Sequence, residues 1–274
     1  MVTSRTGDHP NFGLGYADGV ARIVIDRPDK RNAMTVAMWH SLTDICTELA
    51  ADQDLRAVVL TGAGRSFCAG ADISALSEDD DTVKAAVGRA EYAVRNLAVP
   101  TIARISGPCM GGGSQLAIAC DLRVADSTAV FAVPPAKLGV IYGVSSTRAL
   151  VDLVGPAAAK RLLFTARTID AAAALRIGLV DEVVQAPGLD AAVDQLVAEL
   201  LPVAPMTQLA AKELVNAIVD GSTGAGPGAP EGETPDAIYA RWMAEWRGSP
   251  DGVEGPRAFL ERRTPSFSWR RRTQ

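Results

Sequence analysis

The segment Cys109-Met110-Gly111-Gly112-Gly113-Ser114-Gln115-Leu116-Ala117 decides how this chain is read. Its three glycines stand between two strand-like apolar runs, Thr101 to Ser106 and Asp121 to Ala125. Glycine has no Cβ, so such a run serves either tight packing of a helix on a strand or close approach of the backbone to a ligand. A helix opening at Gly112 adds the second possibility's driving force, because its first N–H groups and its positive dipole end point outward. Upstream stands a second glycine-bearing segment, Ser66-Phe67-Cys68-Ala69-Gly70-Ala71-Asp72-Ile73. Two residues past the glycine run stands Gln115, an amide that cannot exchange a proton near neutral pH.

Composition narrows the classes. A chain of 274 residues with 48% apolar and 22% charged residues suits a globular protein of one or two domains with a real core. The formal net charge of −5 argues against a general nucleic-acid or membrane-surface role. No apolar run is long enough to cross a bilayer, and the polar Met1 to Gly13 has no secretory apolar core, so a cytoplasmic location is expected. The four cysteines, Cys46, Cys68, Cys109 and Cys120, lack metal-ligand spacing and read as reduced thiols in or near the core; no metal is expected. With two histidines, His9 in the expected tail and His40 on a helix, a histidine-centred triad is disfavoured.

Along the chain, Val20 to Asp26 reads as a strand, followed by the turn Arg27-Pro28-Asp29-Lys30-Arg31-Asn32. Met38, Leu42, Ile45 and Leu49 fall at helical spacing within Thr35 to Ala50. Arg56 to Leu60 is an apolar strand ended by Thr61-Gly62-Ala63-Gly64. The acidic cluster Glu78-Asp79-Asp80-Asp81 precedes a helix from Thr82 to Leu97, a placement the helix dipole favours. Asp170 is an N-cap for a helix from Ala171 to Ile177, and Gly178 stops it. A Gly/Pro-rich stretch, Gly221 to Pro235, reads as a mobile loop before two last helices, Asp236 to Arg247 and Gly252 to Arg263. The fold class is therefore α/β with a helical C-terminal portion. The organisation expected is a flexible tail over residues 1–15, a core over 16–200 carrying the site, and a helical region over 201–274.

Together, the two glycine segments resemble the paired oxyanion-hole signature of the crotonase (enoyl-CoA hydratase/isomerase) superfamily. Ile25-Asp26-Arg27-Pro28-Asp29-Lys30-Arg31-Asn32-Ala33-Met34, Arg176-Ile177-Gly178-Leu179-Val180 and Ala258-Phe259-Leu260-Glu261-Arg262-Arg263 support it, in the family's order. The resemblance implies a spiral of β-β-α turns with C-terminal helices that mediate assembly into a homotrimer or a dimer of trimers. It also implies an acyl-CoA thioester as ligand, with coenzyme A as part of the substrate and no separate cofactor.

By the same resemblance, the backbone amides of Ala71 and Gly112 are the donors to the thioester oxygen, with Gly111 beside them. The CoA moiety is expected along Lys30, Arg31 and the loop from Ala69 to Ile73, although Lys30 and Arg31 alone read equally as a solvated turn. Asp72 is expected to fix its loop rather than to catalyse. Arg262 and Arg263 are placed to reach the CoA phosphates of a neighbouring subunit.

Hydratases of the family use two glutamates. The first maps onto Gln115 and the second onto Pro135, within Phe131-Ala132-Val133-Pro134-Pro135-Ala136, and each missing acid–base group is expected to cost about 10²–10⁴ in rate. The stretch Leu138-Gly139-Val140-Ile141-Tyr142-Gly143 resembles instead the methylmalonyl-CoA and ethylmalonyl-CoA decarboxylases, which carry a tyrosine matching Tyr142. A histidine at Ala71 and a threonine at Pro134 belong to that pattern and are absent. Tyr142 then orients the leaving carboxylate, Gln115 holds substrate or water, and Pro135 lines the pocket; alternatively, Tyr142 is a pocket-lining aromatic. Three readings follow: a lyase acting on malonyl-type thioesters, a non-catalytic acyl-CoA-binding protein, and, ranked last, a hydratase drawing its carboxylate from Glu91 or the acidic cluster.

Overall fold

A computed structural model describes residues 9–72, 80–220 and 233–271. The chain opens with a hairpin of β1 (Phe12–Ala17) and β2 (Val20–Ile25), paired antiparallel from Phe12↔Ile25 to Ala17↔Val20. Its two-residue turn is Asp18-Gly19, with φ of 52° and 78°. Positive φ at both positions matches the right-handed strand twist, and Asp-Gly is a favoured pair for it. This corrects the expected tail over residues 1–15, because residues 12–15 are laced into the sheet.

After a 3-10 turn at Pro28–Lys30 comes α1 (Val36–Ala51), capped by Thr35, whose side chain accepts from Met38 N. Then follow β3 (Ala57–Gly62), α2 (Asp80–Arg95), β4 (Thr101–Ile105), β5 (Pro108–Met110), α3 (Gly112–Ala119), β6 (Leu122–Asp126), β7 (Val130–Ala132), α4 (Pro135–Leu138) and α5 (Val144–Thr165). The remaining elements are β8 (Ile169–Asp170), α6 (Ala171–Arg176), β9 (Glu182–Val184), α7 (Leu189–Leu200), α8 (Pro205–Val219), α9 (Pro235–Arg247) and α10 (Asp251–Glu261). Asp170 caps α6 as expected, accepting from Ala173 N, and Gly178 follows it with φ of 76°. The acidic residues 78 and 79, and residues 221–232 of the Gly/Pro-rich stretch, lie outside the described residues.

The larger sheet runs β1-β2-β3-β4-β6-β9, parallel beyond the opening hairpin, and the smaller one runs β5-β7-β8. Consecutive strands alternate between them: β4 then β5 then α3, followed by β6 then β7 then α4. The single bridges Met34↔Ala71 and Cys68↔Cys109 extend the same pattern to the earlier turns of the chain. This is the spiral of β-β-α turns expected of the fold.

The alternation of strand side chains divides the core. Val58 and Leu60 face the main cluster with Trp39, Phe67, Leu116 and Phe131. Ala57, Val59, Ile102 and Val124 face the other way, under Leu189, Val193 and Val197 of α7. The later helices are not detached from this core: Leu209 of α8 joins the main cluster, and Lys212 Nζ donates to Val99 O (2.9 Å) and Asp121 Oδ2 (2.7 Å).

Candidate active site

Glycine is required where α3 begins. Gly111 is its N-cap with φ of 54°. A Cβ on Gly113 would stand 2.2 Å from Cys68 O, and one on Gly112 would stand 3.0 Å from Cζ2 of the fully buried Trp39. Ser114 Oγ lies 2.7 Å from Cys109 O and 3.0 Å from Ala132 O, tying the first turn of α3 to β5 and β7. The glycine run thus serves close packing and, at its leading edge, leaves backbone N–H groups without side chains in front of them.

The Ala69–Asp72 segment reaches the same place by backbone lacing. Ala69 N donates to Arg31 O (3.0 Å), Met34 N to Gly70 O (2.8 Å) and Asp72 N to Met34 O (2.9 Å). The turn below is held by buried Asn32, whose Nδ2 donates to Ala63 O (2.9 Å) and Ser66 O (2.7 Å). As a result, the Cβ position of Gly112 is 3.6 Å from Ala71 N, and that of Gly70 is 3.3 Å from Gly112 N. Neither amide donates to a described residue. Two N–H groups side by side at a helix start can stabilise negative charge on one oxygen.

The other expected residues divide. Lys30 and Arg31 are exposed beside Ala69, on the turn that carries the loop. Asp72 Oδ2 accepts from Arg27 Nη1 at 2.6 Å, a contact that ties its loop to the turn before α1. Ile73 lies outside the described residues. Arg262 caps the exposed end of α10, a helix packed on α9. Pro135 is buried at the first position of α4, and it is Pro134 whose Cδ lies 3.9 Å from the Cβ position of Gly111. Gln115 is half-buried one turn into α3, and its side chain bonds no described residue.

Tyr142 is drawn in. Its hydroxyl is 3.5 Å from the Cβ position of Gly111, next to the amide pair. It also lines a cleft of about 330 Å³ with Val144, Thr147, Arg148 and Val151. Burial raises its pKa to about 12, and the charge of Glu91 adds to the effect. Tyr142 is therefore a neutral hydrogen-bond donor at physiological pH.

Two residues of the site lie outside the glycine motifs: Trp39, which the sequence reading missed, and Glu91, which it names only as an alternative carboxylate. Trp39 forms the floor under Gly112; its spacing to Leu42 and Cys46 on α1 was the available signal. Glu91 of α2 is 8% exposed, and its Oε2 accepts from Ser146 Oγ at 2.6 Å, one helical turn past Tyr142. Its Oε1 is buried with no hydrogen-bond partner among the described residues. Burial raises the Glu91 pKa to about 7, against a lowering by the Ser146 hydroxyl. Among the described residues no cluster of potential ligands could hold a metal ion. No described helix is long and apolar enough to cross a membrane.

An α/β spiral with two neighbouring backbone amides free of described acceptors at a glycine-run helix start defines a class of protein able to hold negative charge on one oxygen. A family model of enoyl-CoA hydratase/isomerase matches residues 15–270, and the chain belongs to that family. It is 33% identical over 257 residues to "Probable enoyl-CoA hydratase echA8" of Mycobacterium bovis, covering 92% of this chain and 95% of the relative. It is 36% identical over 202 residues to a short-chain-enoyl-CoA hydratase of Clostridium acetobutylicum, covering 72% and 77%. A crystal structure of an enoyl-CoA hydratase/isomerase family member superposes with a TM-score of 0.85 at 35% identity, covering 95% of this chain and 99% of that one.

Proposed function

We propose that this member of the family is an acyl-CoA lyase that decarboxylates malonyl-type thioesters through an enolate held by the amides of Ala71 and Gly112. The observation that carries the reading is the neutral hydroxyl of Tyr142, 3.5 Å from the Cβ position of Gly111; in the sequence an amide, Gln115, and a ring, Pro135, stand at the two positions that match the hydratase glutamates. Decarboxylation needs no strong base. The bond from the α-carbon to the carboxylate breaks, its electron pair passes into the enolate, and carbon dioxide leaves. The two N–H groups then carry the developing oxyanion, and loss of one such donor is worth about 10²–10³ in rate. Tyr142 donates a hydrogen bond that orients the leaving carboxylate, and Gln115 holds substrate or water.

Lys30 and Arg31, exposed beside the loop, are the cations proposed for the CoA phosphates. Val253, Phe259 and Leu260 of α10 are 70%, 83% and 81% exposed, an apolar face that supports assembly into a homotrimer or dimer of trimers, with Arg262 offered to a neighbouring subunit's ligand.

A second reading, slow hydration of an enoyl thioester, has one specific observation in its favour, the buried carboxyl of Glu91 beside Tyr142. The two are separated by incubating the protein with malonyl-CoA, methylmalonyl-CoA and crotonyl-CoA and reading products by mass spectrometry. Loss of carbon dioxide supports the lyase, and gain of water supports the hydratase. Tight binding of long acyl-CoAs with neither product supports a binding protein. If Tyr142→Phe turns over every thioester as fast as the parent, the role given to Tyr142 is wrong.

A further inference from the structure

We propose that Glu91 is the proton reservoir of the site, exchanging a proton with the α-carbon of the bound thioester through the hydroxyl of Tyr142. The proposal rests on the enolate chemistry above and adds the group that completes it, because an enolate left by departing carbon dioxide still has to gain a proton at carbon.

The geometry meets at this residue. The bond from Ser146, four residues after Tyr142, holds Glu91 of α2 against the start of α5, and the charge of Glu91 also acts on Tyr142. Tyr142 in turn stands by Gly111, immediately before the Gly112 amide. Glu91 is fixed on one side only: Oε2 is bonded to Ser146, while Oε1 is enclosed and unpartnered. A buried polar atom left without a partner costs about 1–3 kcal/mol, so its retention calls for a use. Oε1 and the Tyr142 hydroxyl are not hydrogen-bonded in this structure; the proposed relay has Oε1, which has no partner to give up, close on that hydroxyl.

The groups facing Glu91 leave its proton labile. Ser146 lowers its pKa and burial raises it, with no cation or second carboxylate contributing. The result lies near neutrality, where a carboxyl both gives and takes protons efficiently. In the forward step the Tyr142 O–H passes its proton to the α-carbon while the Glu91 carboxyl reprotonates the phenolic oxygen. A C–H bond forms, the Glu91 O–H bond breaks, Tyr142 is unchanged, and the resulting carboxylate regains a proton from solvent. In the reverse step the carboxylate takes up the α-proton by the same route.

The test uses an assay that needs no carbon dioxide release: hydrogen–deuterium exchange at the α-carbon of butyryl-CoA in heavy water, followed by mass spectrometry. The native chain is expected to exchange, with a rate that rises as pH passes through about 7, because removing the α-proton needs the carboxylate form. Glu91→Gln keeps the shape and is expected to lose about 10²–10⁴ of that rate together with its pH limb. Ser146→Ala removes the hydroxyl that favours the carboxylate, so its limb moves to higher pH.

Exchange in Glu91→Gln at the parent rate overturns the proposal. So does a loss of rate in Glu91→Gln with no movement of the limb in Ser146→Ala, which marks a structural effect. Absence of exchange in the native chain overturns it as well. Exchange that depends on Glu91 in a chain that leaves malonyl-CoA intact keeps this inference and removes only the decarboxylase reading.

Discussion

Asp72 Oδ2 accepts a hydrogen bond from Arg27 Nη1 at 2.6 Å, and the same guanidinium nitrogen donates to Ala33 O at 3.0 Å. One ion pair therefore joins the segment that presents the Ala71 amide to the turn that leads into α1. Both side chains are largely shielded, at 25% and 16% exposure, so the pair is screened less than a surface bridge.

Removing Asp72 leaves Arg27 half-buried without its anion. Asp72→Ala is expected to cost about 1–3 kcal/mol in urea unfolding. The three backbone bonds that lace the segment remain, so the fold persists while the amide shifts. A displacement of about 1 Å at a reacting centre costs up to roughly 10² in rate, so kcat should fall more than the unfolding midpoint suggests. Asp72→Asn keeps an acceptor oxygen and should recover part of the rate. Equal rates in all three proteins would show that the ion pair does not set the position of Ala71.

Glycine substitutions should separate required from dispensable positions. Gly113→Ala drives a Cβ to 2.2 Å from Cys68 O and 2.8 Å from Cys68 Cβ, so backbone must move. A loss of roughly 3 kcal/mol or more is expected. Gly88, inside α2, meets nothing within 4 Å, and Gly88→Ala should raise stability by about 0.5–1 kcal/mol. Denaturant midpoints of the two variants check both signs.

What the sequence disclosed was the backbone chemistry, and what it concealed was side-chain geometry. The amide pair was legible because glycines and short polar loops announce where the main chain must come close. The opening hairpin was also legible, in Asp18-Gly19, and the expected tail overrode it. Asp72 was read as a loop-fixing residue without its partner, since a contact across 45 residues leaves no local trace. Glu91 enters the sequence reading only as an alternative carboxylate for a hydratase: on α2 it sits between Ala90 and Tyr92, and nothing in that run says that the helix turns it inward, away from water, toward Ser146. Lys30 and Arg31 are grouped with the Ala69 loop only through the family resemblance, and the bond from Ala69 N to Arg31 O is what holds Arg31 beside that loop.

The cysteines provide a test of core closure. All four are buried and free. Burial pushes Cys46, Cys68 and Cys120 up to about 12, and Cys109 well above its ordinary value. Thiolate is the reactive form, so the folded protein should be nearly inert to a disulfide reagent near pH 8. In guanidinium chloride all four should react, and prompt reaction of any of them in the folded state would contradict the packing between β5, α3 and α1.

Glu91 also links stability to pH with an unusual sign for a carboxylate. Its pKa is raised from 4.5 to about 7 in the folded chain, so folding favours the protonated form. The contribution is fully present below the unfolded value, shrinks as pH rises from about 4.5, and is gone above about 7. Replacing Glu91 with glutamine, which is neutral throughout and can still accept from Ser146, removes that dependence. Relative to the native chain, Glu91→Gln should gain stability as pH rises across this window, by on the order of 1–3 kcal/mol near pH 8. The comparison is a pair of thermal or urea unfolding series at pH 5 and pH 8. A difference between the two proteins that stays constant across the window would mean that Glu91 is charged throughout, and the burial of its free oxygen would then need a cation or water to account for it.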